Sequence, residues 1–198
     1  MLTKDVAMRI ASKKPRFFRR FIVFAGSFDP FAIHHREIIE QLIILKYWMT
    51  YFDPETPADV VVWPVGAYAT KQQVVSAEGR KAMLGAGLAG LDVELRLDDL
   101  EHDEFGYTST YQMQSSLAAQ HRAELQREFS LPLHMPLPTI TEVWHVIGAD
   151  NVDQIKEWNE GFKLWQQAHF IVIDRPGVTV VELPPKSIVL SVGAAGDI

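Results

Sequence analysis

Gly26, Ser27 and Phe28 follow an apolar run at Phe21–Ala25, an Asp29-Pro30 pair closes the turn, and two histidines, His34 and His35, stand shortly after it. A strand that meets a tight loop and then a helix start is suited to holding phosphate. The loop amides and the first amides of the helix present N–H donors and partial positive charge. An imidazole in the first helical turn adds a donor that can carry a proton. Adjacent helical residues point about 100° apart, so only one of the two histidines is expected to face the loop. His35 is the candidate. The plainer alternative is a loop that only turns the chain, with one histidine in solvent and the other capping the helix.

Composition narrows the chemistry. The 198 residues carry a formal charge of −6, which argues against a broad nucleic-acid surface but not against a small polyanion held by local cations. There are no cysteines, which excludes disulfides and thiolate metal sites and suits a reducing cytoplasm. No His, Asp and Glu cluster has metal-ligand spacing, so no protein-held metal is expected. No apolar run approaches the roughly 20 residues of a membrane span. The basic segment 1–20 lacks a signal-peptide core and reads as an extension ahead of one α/β domain over 21–198. The loop after Phe21–Ala25 has neither the lysine of a P-loop nor the further glycines of a dinucleotide fingerprint.

The elements that must position these residues alternate in type. Strands are expected at 21–25, 59–65, 91–97, 142–147 and 169–174, with short ones at 178–182 and 188–192. Helices are expected at 33–51, 77–91, 108–129 and 152–167, and the proline-bearing stretch 131–139 is a loop. This order predicts a Rossmann-like, doubly wound, mostly parallel sheet with helices on both faces and ligands at the carboxyl ends of the strands. Trp48, Trp63, Trp144 and Trp165 are expected in the core, and His145, alternating within a strand, as a buried, satisfied imidazole.

Taken in order, the motifs resemble one family. Gly26-Ser27-Phe28-Asp29-Pro30 with His35 is similar to the G-[ST]-F-D-P-x-H-x-G-H signature of the nucleotidyltransferase superfamily. Lys71, Ser76, Arg80 and Met83-Leu84 follow, then Tyr107-Thr108-Ser109-Thr110. Ile147-Gly148-Ala149-Asp150-Asn151, Trp158, and Arg175-Pro176-Gly177 complete a series that resembles the nicotinate or nicotinamide mononucleotide adenylyltransferases. Two positions depart from the pattern. Ala32 stands where the first signature histidine belongs, with His34 at its glycine. The C-terminal arginine motif is degraded in Ala194–Ile198.

The resemblance implies transfer of AMP from ATP to a pyridine mononucleotide, giving a dinucleotide and pyrophosphate in NAD biosynthesis. His35 would donate to the ATP phosphates. Gly26, Ser27, Phe28, Lys71, Arg80, Gly148 and Asp150 would bind ATP or its phosphates, with Asp150 on the ribose or capping the helix from Val152. Thr108 and Trp158 would bind the mononucleotide, Trp158 by stacking or, in the plainer reading, as core. Asp29 would brace the loop. Mg²⁺ would arrive with ATP and bridge phosphate oxygens. Loss of the imidazole at Ala32 keeps open a nucleotide-binding homologue with impaired catalysis, and a different phosphate acceptor is the other alternative. A homo-oligomer also remains open.

Overall fold

Strand alternation sets the two faces of the sheet. Phe21 and Val23 pack on one side with Val61, Trp63, Val143, Met113 and Leu117. Ile22 packs on the other with Val60, Val146, Ile171, Ile38 and Leu42. The computed structural model describes residues 17–66, 74–101, 108–132, 137 and 139–192. Within them lie β1 (Phe18–Gly26), α1 (Ile33–Phe52), β2 (Ala58–Pro64), α2 (Ala77–Gly87), β3 (Glu94–Leu95), the single turn α3 (Asp98–Glu101) and α4 (Thr110–Glu128). They are followed by β4 (Ile140–Gly148), a 3-10 helix (Ala149–Glu157), α5 (Gly161–Gln167), β5 (His169–Ile173) and β6 (Ser187–Leu190).

The six strands form one parallel sheet in the order β3-β2-β1-β4-β5-β6. Helix α1 covers one face and α4 the other, as the alternation predicts. The chain leaves β1 in opposite directions along the sheet, to β2 first and to β4 later. Between β1 and β4, therefore, the carboxyl ends open into the crevice where doubly wound sheets bind ligands. Buried aliphatic and aromatic side chains on both faces hold this edge in place, each contributing roughly 1.5–3 kcal/mol.

Several boundaries differ from expectation for identifiable reasons. β1 begins at Phe18, before the expected Phe21, because two charged residues are neutralised where they stand. Arg19 pairs with Asp59 at 2.8 Å and with Glu124, and Arg20 pairs with Asp53 at 2.9 Å and Glu142 at 3.1 Å. The third strand shrinks to Glu94–Leu95 at the sheet edge. No strand forms at 178–182, and the last one is Ser187–Leu190. The expected helix 152–167 is split. Its first half is the 3-10 helix; then Trp158–Glu160 turns the chain, with Glu160 at φ 57°. A Cβ on Gly161 would lie 2.3 Å from the Ile155 carbonyl oxygen, so only glycine lets the two pieces meet. Trp48 is 56% exposed on α1 and stacks on Phe52 at 5.7 Å, against its expected place in the core. Trp63 and Trp165 are buried, and Trp144 is half-buried against His169.

Candidate active site

The loop after β1 is the best-supported piece of the site. Phe28 adopts φ 45°, a conformation that costs a non-glycine residue about 1–3 kcal/mol. Its ring offsets this cost by burial, at 2% exposure, among Ile39, Val62, Leu84 and Leu88. Asp29 braces the loop, as expected: its carboxylate accepts the amides of Val74 at 2.5 Å and Val75 at 2.8 Å. From below, the Arg80 guanidinium donates through Nη1 to the carbonyls of Val65, at 2.7 Å, and Ser27, at 3.2 Å. Arg80 is 0% exposed, so it supports the phosphate-loop candidates from behind and does not line the cavity in front of them.

His35 both caps α1 and faces the site. Ala32 has no capping side chain, and its N–H instead donates to Nδ1 of His35 at 2.9 Å. A neutral imidazole that accepts at Nδ1 carries its proton on Nε2, so the ring retains one donor. Phe24, Phe28 and Phe31 surround it with ring centroids at 6.2, 5.2 and 5.7 Å. That burial, helped by His34 and Arg175, pushes its pKa down to about 4 and keeps the ring uncharged at neutral pH. The expectation that a single histidine faces the loop is corrected. Both His34 and His35 line the cavity, with ring centroids 4.0 Å apart. Side-chain torsions swing the two rings together although their Cα–Cβ bonds diverge.

On the far side of the crevice the end of β4 places Gly148. A Cβ there would sit 2.4 Å from Asp150 Oδ1 and 3.1 Å from Arg175 Nε, so glycine lets those two side chains meet above it at 3.3 Å. Asp150 is not the helix cap that was considered. The N-cap is Gly148, with no side-chain bond, and Asp150 lies in the first turn of the 3-10 helix. Thr108 donates its amide to Asp99 Oδ2 at 2.8 Å and its hydroxyl to Asp99 Oδ1 at 2.6 Å. The true cap of α4 is Ser109, whose hydroxyl accepts the Gln112 amide at 3.3 Å while the Gln112 side chain accepts the Ser109 amide at 2.9 Å.

These pieces enclose a cavity of about 410 Å³ between the ends of β1 and β4. Gly26, Ser27, Phe28, His35, Gly148, Thr108 and Trp158 all line it. Trp158 also packs, partly buried, against the cluster of Val152, Ile155 and Trp165, so it belongs to the packing as well as to the cavity wall. Lys71 and Tyr107, the degraded motif at Ala194–Ile198, and His102 and His134 lie outside the described residues. The wall also includes residues that the sequence did not nominate as ligands: His34, Asn151, Asn159 and Arg175. Arg175 had a signal, since Arg-Pro-Gly directly follows a strand at the sheet edge. Among the described residues no carboxylate lies on the cavity wall, and no group of three or more His, Asp or Glu side chains is placed to hold a metal.

No family model matches the chain. Individual relatives do. A Leifsonia xyli protein named "Probable nicotinate-nucleotide adenylyltransferase" is 28% identical over 173 residues, covering 86% of this chain and 73% of its own. A Saccharopolyspora erythraea protein of the same name is 27% identical over 184 residues, covering 86% and 74%. Over most of its length, then, the chain is similar to proteins named probable nicotinate-nucleotide adenylyltransferases. Two solved structures share the fold of this chain. They are Plasmodium falciparum nicotinic acid mononucleotide adenylyltransferase complexed with APC and the same enzyme complexed with NaAD. Their TM-scores are 0.57 and 0.60 at 18% and 19% identity, covering 86% and 87% of this chain and 73% and 74% of theirs.

Proposed function

We propose that this enzyme transfers AMP from ATP to nicotinate mononucleotide, forming the dinucleotide and pyrophosphate. The observation that carries the reading is the convergence of Gly26–Phe28, His35, Gly148 and Trp158 on one cavity at the sheet's switch point. The names of its relatives supply the choice of substrate. In the reaction a phosphate oxygen of the mononucleotide bonds to the α-phosphorus of ATP. The bond from that phosphorus to the bridging oxygen breaks, and pyrophosphate leaves. Such a transfer needs positioning and charge stabilisation more than a covalent nucleophile.

His35 would donate through Nε2–H to the polyphosphate. Being uncharged, it needs no proton from solvent to serve as a donor above about pH 4. Ser27 and Phe28 would meet phosphate at the loop, and Arg80 would act as a positioning residue that fixes the loop from below. Gly148, with Asp150 and Arg175 above it, would receive the nucleoside side of ATP. Trp158 would stack the pyridine ring, and Thr108, steadied by Asp99, would bound the mononucleotide. Lys71 remains a proposed phosphate contact. Magnesium would enter with ATP as the substrate complex, with phosphate oxygens as its ligands. A cytoplasmic setting fits a chain with no cysteine. In it, among the described residues, no helix is long and apolar enough to cross a membrane.

Pyrophosphate release from ATP, Mg²⁺ and nicotinate mononucleotide tests the reading, with nicotinamide mononucleotide as the competing acceptor. Turnover with the nicotinate substrate, lost in His35→Ala, supports it. ATP binding without product from any acceptor would instead favour an impaired nucleotide-binding homologue, the reading that Ala32 keeps open.

A further inference from the structure

Position 32 is alanine and offers no side-chain hydrogen-bonding group, yet two imidazoles line the proposed phosphate corner. His35 has one ring nitrogen committed to the Ala32 amide, which leaves a single nitrogen for a ligand. His34 stands beside it, with ring centroids 4.0 Å apart, on the wall of the same cavity. It is exposed, and among the described residues no protein group hydrogen-bonds to either of its ring nitrogens. Arg175 lines the same cavity farther off, paired with Asp150 at 3.3 Å, and among the described residues no carboxylate lines it. Two adjacent imidazoles on a wall whose described residues include no carboxylate suit a polyanion.

We propose that His34 is a phosphate-contacting residue of this enzyme and supplies the second imidazole contact to the polyphosphate of ATP that Ala32 cannot make. The inference rests on the adenylyl-transfer reading and deepens it. His35 is half-buried under three phenylalanines and holds one face of the polyphosphate. His34, one residue earlier and exposed at the mouth, closes over the other. Position 34 lies in the first turn of α1, so its side chain reaches the corner from the start of the helix beside His35. The ring at position 34 is exposed and lines open cavity, so it needs no space in the core.

The test uses the full chain, its His34→Ala variant and the double variant Ala32→His/His34→Ala. Each is titrated calorimetrically with inorganic pyrophosphate, with ATP and with nicotinate mononucleotide, and each is assayed for turnover. Removal of one charge-assisted hydrogen bond should weaken pyrophosphate and ATP about tenfold. Binding of the mononucleotide and the melting temperature should barely move, and the double variant should recover most of the ATP affinity. If His34→Ala binds pyrophosphate and ATP within about twofold of the parent, His34 is a solvated surface residue and the proposal falls, even where the parent turns over normally. If the parent binds pyrophosphate through His34 but accepts no mononucleotide, the reaction assignment fails and the phosphate contact stands. A parent that binds neither pyrophosphate nor ATP overturns both.

Discussion

The amide of Ala32 donates to Nδ1 of His35 across 2.9 Å, so one hydrogen bond caps the helix and sets the tautomer of the imidazole in the cavity. His35→Ala removes the donor from the transition state along with a cap. Loss of a positioned donor at a transferring phosphoryl group lowers kcat about 10²- to 10³-fold. Loss of the cap costs about 1 kcal/mol. Steady-state kinetics and a urea melt on the same preparation should show the large effect on rate and the small one on stability.

Arg80 distinguishes two roles by what is lost. As a buried support for the Ser27 and Val65 carbonyls, its replacement in Arg80→Ala leaves polar groups unsatisfied and opens a cavity. Stability should then fall by about 3 kcal/mol, with activity dropping as the loop loosens. Arg80→Lys should also lose stability, because one ammonium does not reproduce the guanidinium geometry. Were Arg80 a surface phosphate ligand, the lysine variant would keep its melting point and show only a raised KM for ATP.

Trp158 belongs both to the cavity wall and to the packing around Val152 and Ile155. Stacking is worth roughly 0.5–1.5 kcal/mol beyond burial, so Trp158→Ala should raise KM for the mononucleotide by about two- to tenfold more than KM for ATP. Trp158→Phe should restore much of the difference. Equal changes for both substrates would leave Trp158 with a packing role alone.

Gly148→Ala should leave the melting temperature nearly unchanged, since the three atoms nearest the added methyl belong to the Asp150 and Arg175 side chains. It should nevertheless weaken ATP, because the two must part to admit the methyl. Calorimetric titration with ATP checks this; an unaltered Kd would remove the Asp150–Arg175 pair from the nucleoside end.

Three histidines share a direction of titration. Burial lowers His35 to about 4 and His145 to about 3, and it lowers His169 as well. In the unfolded chain each returns toward 6.5, so between these values the unfolded state binds more protons than the folded one. Stability should be full above about pH 6.5 and decline as the pH falls from there toward about 3. His145 is 3% exposed, with Nε2 3.1 Å from the Gln114 side-chain nitrogen. His145→Gln should therefore flatten the acid limb in urea melts taken at several pH values; an unchanged slope would clear His145 of that role.

Much of this architecture was legible because hydrophobic period and motif agree. The run Phe21–Ala25, the apolar face of α1 and the strand–helix alternation lead directly to a parallel sheet with its crevice above Gly26 and Gly148. What escaped was set by tertiary contacts. Arg19 and Arg20 extend β1 only because Asp59, Glu124, Asp53 and Glu142 neutralise them from other elements. The break at Trp158–Glu160 was written in Asn159-Glu160-Gly161, a turn sequence outweighed by the apolar period on either side. Trp48 read as core by residue type alone, but the end of α1 carries it beyond the residues that pack on the sheet. The pairing of His34 with His35 depends on side-chain torsions, which backbone periodicity does not report. Arg80 was recognisable as a motif residue, whereas its position behind the loop follows from the packing of α2 against Phe28.

A crystal soaked with a non-hydrolysable ATP analogue and Mg²⁺ tests the nucleotide site most directly. Density for the polyphosphate is expected between Ser27, His34 and His35, with the nucleoside toward Gly148 and Arg175. Density elsewhere on the protein, with the crevice between β1 and β4 closed by its own side chains, would contradict it.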